Sequence, residues 1–496
     1  VADDRFRWAG SWWALALVVA VVYLLSPVRD ATRHDPAFAP LTAYAIVHGG
    51  TTSLDGFGAE RLVGHPVVLS DGSLDPGAVV EAVGAPGWEE LEAAVADPDV
   101  EVHDYFPWTG AVLAVPAVVA ADLVAALTGG PDSGEQLADG GFAVPHAAVA
   151  SLVVVGAVLA LRVTALAVLT GPSSRRRLLA NAAALVVALG TSAWSVASRA
   201  LWQHTPSLLL LSLACWCAVR VALDEPGGRT VDPWVVGLAA ASAGAVVARP
   251  TNAGFAAAVL AWVLVRRRAR PAPTIASVAV GAGAVAAAFV LISLLLVGGA
   301  VPDYYSAGRL EAGGWFAEAV AANWVSPSRG LLLASPVLLL AVPGTVVAWR
   351  DRDRPGLRSL SVALWIGVAA LTASVAAFPQ WWAGHSFGPR FMTEAVPLLA
   401  VLSLPALDRV AAPAPRTARA RAGLVAVVAL AVWSVGFHAV GAVAGAAGCW
   451  NRYPSDVDDD PGRVWSLTDA QVLEPVHRML DDDRRAAQDT ACTGSR

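Results

Sequence analysis

Residues 274–299 read TIASVAVGAGAVAAAFVLISLLLVGG, and no position among them carries a charge. A helix needs about 20 apolar residues to cross the hydrocarbon core of a bilayer, so this stretch is long enough to span one. The same texture recurs on both sides of it. Apolar blocks fall near 12–27, 108–127, 145–170, 178–197, 206–223, 233–248 and 252–266, then near 330–348, 359–378, 392–408 and 423–446. Of the 496 residues, 56% are hydrophobic and 15% are charged, with a mean hydropathy of +0.57; a soluble domain carries about 25% charged residues. An ordinary soluble enzyme is excluded. The pattern predicts an all-α, polytopic transmembrane helical bundle of 11–13 spans. About a dozen spans use roughly 240 residues, so half the chain is left for loops, and the function is expected there.

Arginine clusters set the expected orientation. They sit at Arg5 and Arg7, at 175–177, at 266–270, at 350–358 and at 409–421; short loops rich in Arg face the cytoplasm. From Arg175 onward the alternation is consistent, and it turns 198–205, 249–251, 300–329, 379–391 and the tail after 446 outward. Before Arg175 there are three blocks between two cytoplasmic points. One of them, 108–127 or 145–170, must fail to cross or must contain two passes. The resulting partition is 1–27 for the N-terminus and first span, 28–107 for a large first extracytoplasmic loop, 108–446 for the helical bundle and 447–496 for an extracytoplasmic tail. The first block is read as a span and not as a cleaved signal, because Pro27, Arg29 and Asp30 follow it with no small-residue cleavage site. Within the first loop, Pro40–Gly49 and Pro86–Ala96 have the spacing of short amphipathic helices lying along the membrane surface.

All 34 basic residues are Arg, a bias typical of GC-rich bacterial coding, and the formal net charge is −6. With no long basic run, nucleic acid is excluded as a partner. No phosphate-binding glycine loop, HExxH pair or CxxC knuckle occurs, which argues against cytoplasmic nucleotide chemistry. Cys215 and Cys217 lie in an apolar block and read as buried small hydrophobes, whereas Cys449 and Cys492 flank the tail, where an oxidising compartment permits a disulfide. The Asp runs at 456–460 and 481–483 read first as solvated faces.

Polar and aromatic residues crowd the outward ends of many spans. They include Asp30, His34 and Asp35 in the first loop, Asp104 to Trp108 at its end, WSVASRALWQH (194–204) and RPTN (249–252). Tyr304 and Tyr305, SPSRG (326–330) and WWAGHSFGPR (381–390) complete the set. Trp and Tyr are ordinary at membrane interfaces. Arg199, Arg249, Arg329 and Arg390 run against the positive-inside bias and need a reason to be there. Anionic ligand oxygens supply one, since guanidinium groups bind phosphate bidentately; lipid headgroups or loop carboxylates are the alternative.

Six stretches in this order resemble the GT-C superfamily of membrane glycosyltransferases, which includes protein O-mannosyltransferases and the lipid A aminoarabinose transferase, and are most similar to its actinobacterial and cyanobacterial members. The stretches are HDPAFAPLTAYAIVHGGTTSLD (34–55), YFPWTGAVLAVP (105–116), GTSAWSVASRALWQH (190–204), ARPTN (248–252), VSPSRGLLLASPVLLL (325–340) and WWAGHSFGPRF (381–391). The resemblance implies a polyprenyl-phosphate sugar donor and an acidic catalytic base early in the first loop. That points to Asp35, with Asp30 as the near alternative; the step Asp35-Pro36 departs from the DS or DE found in many relatives.

The chemistry leads the same way. Moving a sugar from a lipid phosphate to a hydroxyl needs a carboxylate to take the acceptor proton and positive charge facing the departing phosphate. Asp35 suits the first role, and Arg390 or Arg329 with His385 the second. Arg199, Arg249 and His204 are further candidates on the donor side. Tyr305, Trp381 and Trp382 offer flat faces for sugar and prenyl chain. A single base implies inversion at the anomeric carbon. Expected partners are the polyprenyl-phosphate sugar, a glycan, lipid or protein acceptor, and the bilayer of the plasma membrane, with the site on the extracytoplasmic side. A divalent cation, Mg or Mn, is optional, and His103 with Asp104 is the pairing considered for it. The alternative function is a transporter or flippase of a lipid-linked saccharide; it is weakened by the lack of an internal repeat and of mid-span ionisable residues.

Overall fold

A computed structural model describes residues 11–27, 35–139, 142–224, 230–305, 310–311, 313–412 and 417–493, with Asp35 described by its backbone alone. Asp30 and His34 lie outside the described residues. Every apolar block of the sequence is occupied by helix. Six helices are long and apolar enough to cross a membrane, and four shorter apolar ones accompany them. The protein is a membrane-embedded helical bundle.

In chain order the helices begin with α1 (Trp12–Leu25), α2 (Phe38–Gly49), α3 (Ala59–Leu62), α4 (Trp88–Ala96), α5 (Thr109–Thr128), α6 (Ser133–Ala138), α7 (Ala143–Val168) and α8 (Ser173–Leu189). There follow α9 (His204–Leu223), α10 (Pro233–Ala248), α11 (Ala253–Arg266), α12 (Pro271–Leu296), α13 (Phe316–Val325), α14 (Leu331–Ala334) and α15 (Ala341–Arg350). Next are α16 (Pro355–Ala376), α17 (Ala395–Val410), α18 (Ala418–Val443), α19 (Ala446–Cys449), α20 (Glu474–Leu480) and α21 (Asp482–Thr493). Pro336 removes a backbone donor, and the 330–348 block is accordingly split into α14, a short 3-10 turn and α15. A π-helical turn, Ala193–Ala197, extends beyond α8.

The bundle has two distinct ends. At one, arginines bind neighbouring helix termini: Arg175 contacts Asp408, Arg354 donates to the Val168 carbonyl, Arg266 to that of Ala222 and Arg267 to that of Asp224. The first-loop segment and the connections 197–204, 248–252 and 377–394 gather at the other. Gly356 packs directly on the Ala222 carbonyl and Gly344 on that of Leu402, where a Cβ would collide with backbone; small residues allow this close helix approach. Burial is uneven around the bundle. In the apolar windows of α7 and α9, 61% and 67% of residues are buried, against 11% in α12 and 17% in α18. Those outer helices present Leu291, Leu294, Leu295, Val428 and Val432 outward, as lipid-facing helices do.

Helix α5 bears on the block count, although it is itself one of the six helices long and apolar enough to cross a membrane. Near its start Trp108 donates to Ser293, and Asp122, in its second half, pairs with His48 at 3.1 Å and accepts from the Ser133 backbone. Beyond it, Arg61 donates to the Ala138 carbonyl, and the Leu201 N–H meets His146 at 2.8 Å near the head of α7. Both ends of α5 are thus held on the first-loop side, while α7 runs on to the arginine end.

The first loop, expected to carry two short helices, also holds strands. It contains a three-stranded antiparallel sheet, order β2-β1-β3, from β1 (Pro66–Leu69), β2 (Ala78–Val79) and β3 (Val102–Asp104). The two expected helices are present as α2 and α4, but α4 does not present its apolar face to a membrane surface. Trp88, Leu91 and Ala94 instead close a small core with Phe38 and Leu41 of α2 and with Leu54, Leu62, Val67 and Val102.

Candidate functional site

A cavity of about 960 Å³ lies at the end opposite the arginine clusters, where the first loop meets the bundle. This is the upper range of small-molecule sites, ~300–1,000 Å³. Its wall is assembled from distant segments: Gly64, Pro66, Glu81 and Asp104 of the first loop; Trp202 to His204; Arg249 to Thr251; Tyr304 and Tyr305; Phe378 to Phe391 in part; and Arg452, Asp456 and Asp458 of the tail.

One wall is cationic and built around a buried acid. Glu394, 1% exposed, caps the start of α17. Its Oε1 lies 2.8 Å from His204 Nδ1 and its Oε2 accepts from Arg249 at 2.9 Å. Arg390, one turn before Glu394, has Nε 3.3 Å from His204 Nε2 and places its guanidinium 4.0 Å over the Trp202 ring. Arg249 lies 5.2 Å from the Phe391 ring. Three helix ends therefore meet in one ion cluster. Glu394 was not singled out from the sequence; it stands at the N-terminal boundary of α17, directly after the 3-10 turn Arg390–Met392.

Carboxylates line the same cavity. Asp104 lines the cavity from β3, with Oδ1 accepting the Phe106 N–H at 2.9 Å. His385 Nε2 lies 2.7 Å from Asp456 Oδ1 and 3.6 Å from Asp458 Oδ2, and the Trp382 indole donates to Asp458 at 2.6 Å. Partial burial raises the Asp456 pKa, but hydrogen bonds from His385 and the Asp458 backbone, with the charges of His385 and Arg452, outweigh it and hold the carboxyl below its ordinary value. The His385, Asp456 and Asp458 ligand atoms lie within 4.8 Å of one another. One imidazole with two carboxylates suits Mn²⁺ better than Mg²⁺, which prefers an all-oxygen shell. His103 and Asp104 do not form a metal pair. They are consecutive on a strand and point to opposite faces, and His103 instead bonds Thr52 and Glu101.

Of the residues expected at the site, Arg390, His385, His204, Arg249 and Tyr305 share the cavity wall. Asp35 opens the turn before α2, whose Ala39 lines the cavity. Arg329 and Arg199 are not lining residues. Arg329, 1% exposed, donates to the carbonyls of Trp382 (2.8 Å), Gly384 (3.0 Å) and Ser386 (2.8 Å) and to Gln471 (2.6 Å) and Asn451 (2.9 Å). It clamps the 382–386 loop, in which Ala383 has a left-handed φ of 67°, to the tail. Arg199 donates to the Tyr23 and Ser26 carbonyls, ending α1 against the π-turn. Trp381 is buried against Trp450 and Val457, and Trp382 lies behind Asp458. The aromatic faces on the cavity are instead Phe106, Trp202, Tyr304, Tyr305, Phe378 and Phe391.

The tail is stapled by a disulfide between Cys449 and Cys492, and Cys215 and Cys217 are free and buried. Comparison of the chain with known protein families, with curated proteins and with solved structures finds no match.

Proposed function

We propose that the protein is an inverting glycosyltransferase that moves a sugar from a polyprenyl-phosphate donor to a hydroxyl acceptor at the outer face of the membrane. The observation that carries this reading is a single hollow lined by both guanidinium groups and carboxylates, at the end of the bundle away from the arginine clusters. By the positive-inside rule that end faces out. In this reading 11–13 segments cross the bilayer, and α5 stays on the outer side with the first loop.

The reaction breaks the bond between the anomeric carbon and the phosphate oxygen and forms one to the acceptor oxygen. The acceptor proton passes to a carboxylate, and polyprenyl phosphate departs with one more negative charge. Arg390 and Arg249 meet that charge, which is where fixed positive groups accelerate transfer most. Asp35 serves as the base, and Asp104, already on the cavity wall, is the second carboxylate to compare. Aromatic faces at Phe106, Tyr304 and Tyr305 suit the sugar ring and the first prenyl units. A divalent cation would be held by His385, Asp456 and Asp458, where it would screen phosphate charge. A cavity at one end of the bundle favours transfer over transport, for which a mid-membrane site is usual.

The test incubates purified full chain with a panel of polyprenyl-phosphate sugars and hydroxyl acceptors, together with the Asp35→Asn and Asp104→Asn variants. Transfer by the unaltered chain is expected with at least one donor, falling about 10²–10⁴-fold in the variant that removes the base. Movement of lipid-linked sugar across liposomes without transfer would favour the transporter.

A further inference from the structure

We propose that His204 and Glu394 are positioning residues, which fix the guanidinium of Arg390 toward the cavity through a carboxylate–imidazole–guanidinium relay. The inference rests on the reading of this wall as the phosphate-lipid site, and it names the parts that make the wall rigid.

The relay assigns a direction to each hydrogen bond. Arg390 Nε carries a proton and has no acceptor capacity. It lies 3.3 Å from His204 Nε2, and in the relay that ring nitrogen accepts. The ring proton is then on Nδ1, which donates to Glu394 Oε1 at 2.8 Å. The opposite tautomer would let Nδ1 accept from Arg249 NH1, 2.7 Å away, but it sets N–H against N–H at Arg390 and a lone pair against the Glu394 oxygen. A doubly protonated ring fails at the Arg390 end. Arg249 NH1, which is also 3.4 Å from Nε2, has a carboxylate acceptor in Glu394 Oε2, 2.9 Å away, so in the relay Glu394 accepts from both Arg249 and the ring.

Burial makes this arrangement consequential. His204 is 2% and Glu394 1% exposed, so an unmet polar atom there is poorly served by solvent. Arg390 is held at Nε by the imidazole and on one face by Trp202, 4.0 Å from the ring centroid. Both contacts restrict rotation of the guanidinium plane. A pre-set guanidinium loses less entropy on meeting a phosphate than a mobile one.

The two amide replacements of histidine separate this role from a merely structural one. Asn reaches as far as Nδ1 and keeps the donor to Glu394 but offers nothing to Arg390. Gln reaches as far as Nε2 and keeps an acceptor for Arg390. Purified full chain in nanodiscs is titrated with farnesyl phosphate, with farnesol as the control lacking phosphate. The expected result is a preference for farnesyl phosphate that falls about tenfold or more in His204→Asn and stays within about threefold of the unaltered chain in His204→Gln. Unaltered affinity in His204→Asn, with phosphate preference intact in the original chain, overturns the relay and leaves the site reading standing. Absence of any phosphate preference in the original chain overturns both. Should His204→Asn fail to fold, ¹⁵N spectra of the histidine-labelled original chain decide the matter. A proton on Nδ1 of His204 supports the relay, and a proton on Nε2 overturns it.

Discussion

Arg329 separates two accounts of the arginines at the first-loop end of the bundle, and the perturbation to make is Arg329→Lys. The guanidinium serves five acceptors at once, three of them backbone carbonyls of the loop that carries His385. An ammonium has three donors on one atom, so at least two acceptors lose their partner. Four of the five acceptors also receive other N–H groups: Gln471 Oε1 from Gly388 at 3.1 Å, Asn451 Oδ1 from Gln471 at 3.3 Å, the Ser386 carbonyl from Gln471 at 2.8 Å and the Gly384 carbonyl from Ser386 at 2.9 Å, so the loss falls on the Trp382 carbonyl. At about 1–3 kcal/mol for a buried orphan, the expected destabilisation is of that size. With about 2 °C per kcal/mol for a large unit, the melting midpoint should drop by roughly 2–6 °C. Differential scanning fluorimetry in detergent reads this directly, and limited proteolysis should show earlier cleavage in the tail between Trp450 and Gln471. A variant that melts within about a degree of the original yet no longer binds a polyprenyl phosphate would refute the clamp. It would return Arg329 to the role of anion ligand.

Two further outcomes concern the tail. Reduction of Cys449–Cys492, or Cys492→Ser, opens a loop whose ends are 43 residues apart, worth about 4 kcal/mol by the chain-entropy model; protease sensitivity should rise within α20 and α21 while the bundle holds, and an unchanged digestion pattern would count against a stabilising staple. The Asp456 carboxyl titrates below its ordinary value of 3.8 in the folded tail, so its contribution is complete above that value and is lost as pH falls through the lower, folded one. Tryptophan emission should therefore report loosening of the tail in acid below about pH 4, and Asp456→Asn should flatten that transition; an identical acid profile in the variant would reject the assignment.

The transmembrane texture was legible because a span must be apolar along its whole length, and a pattern that long is hard to produce otherwise. The odd block among the first three was also visible as a conflict, and the contacts of Asp122 and Trp108 tie both ends of α5 to the first-loop side of the bundle. The small sheet was not legible. Its strands are two to four residues long, too short for alternation to stand out from helix. Arg199 and Arg329 stand out in the sequence for running against the positive-inside bias. That argument weighed phosphate, lipid and carboxylate as acceptors and left out backbone carbonyls, which satisfy both residues here. Glu394 escaped notice for a related reason. The sequence draws the eye to charges that break a rule, whereas an acid at a span's outer end breaks none, and only folding brings it between His204 and Arg249.

The tail's contribution to the cavity wall has a temporal side. Arg452, Asp456 and Asp458 follow α18 in the chain, so a nascent polypeptide can have every bundle helix in place while its vessel is still open on one side. That gap closes only after synthesis has passed the last long helix and the tail has folded back. Immature or carboxy-terminally shortened chains, and fusions that hold the tail away from the bundle, would retain the bundle's contour while lacking a complete binding chamber.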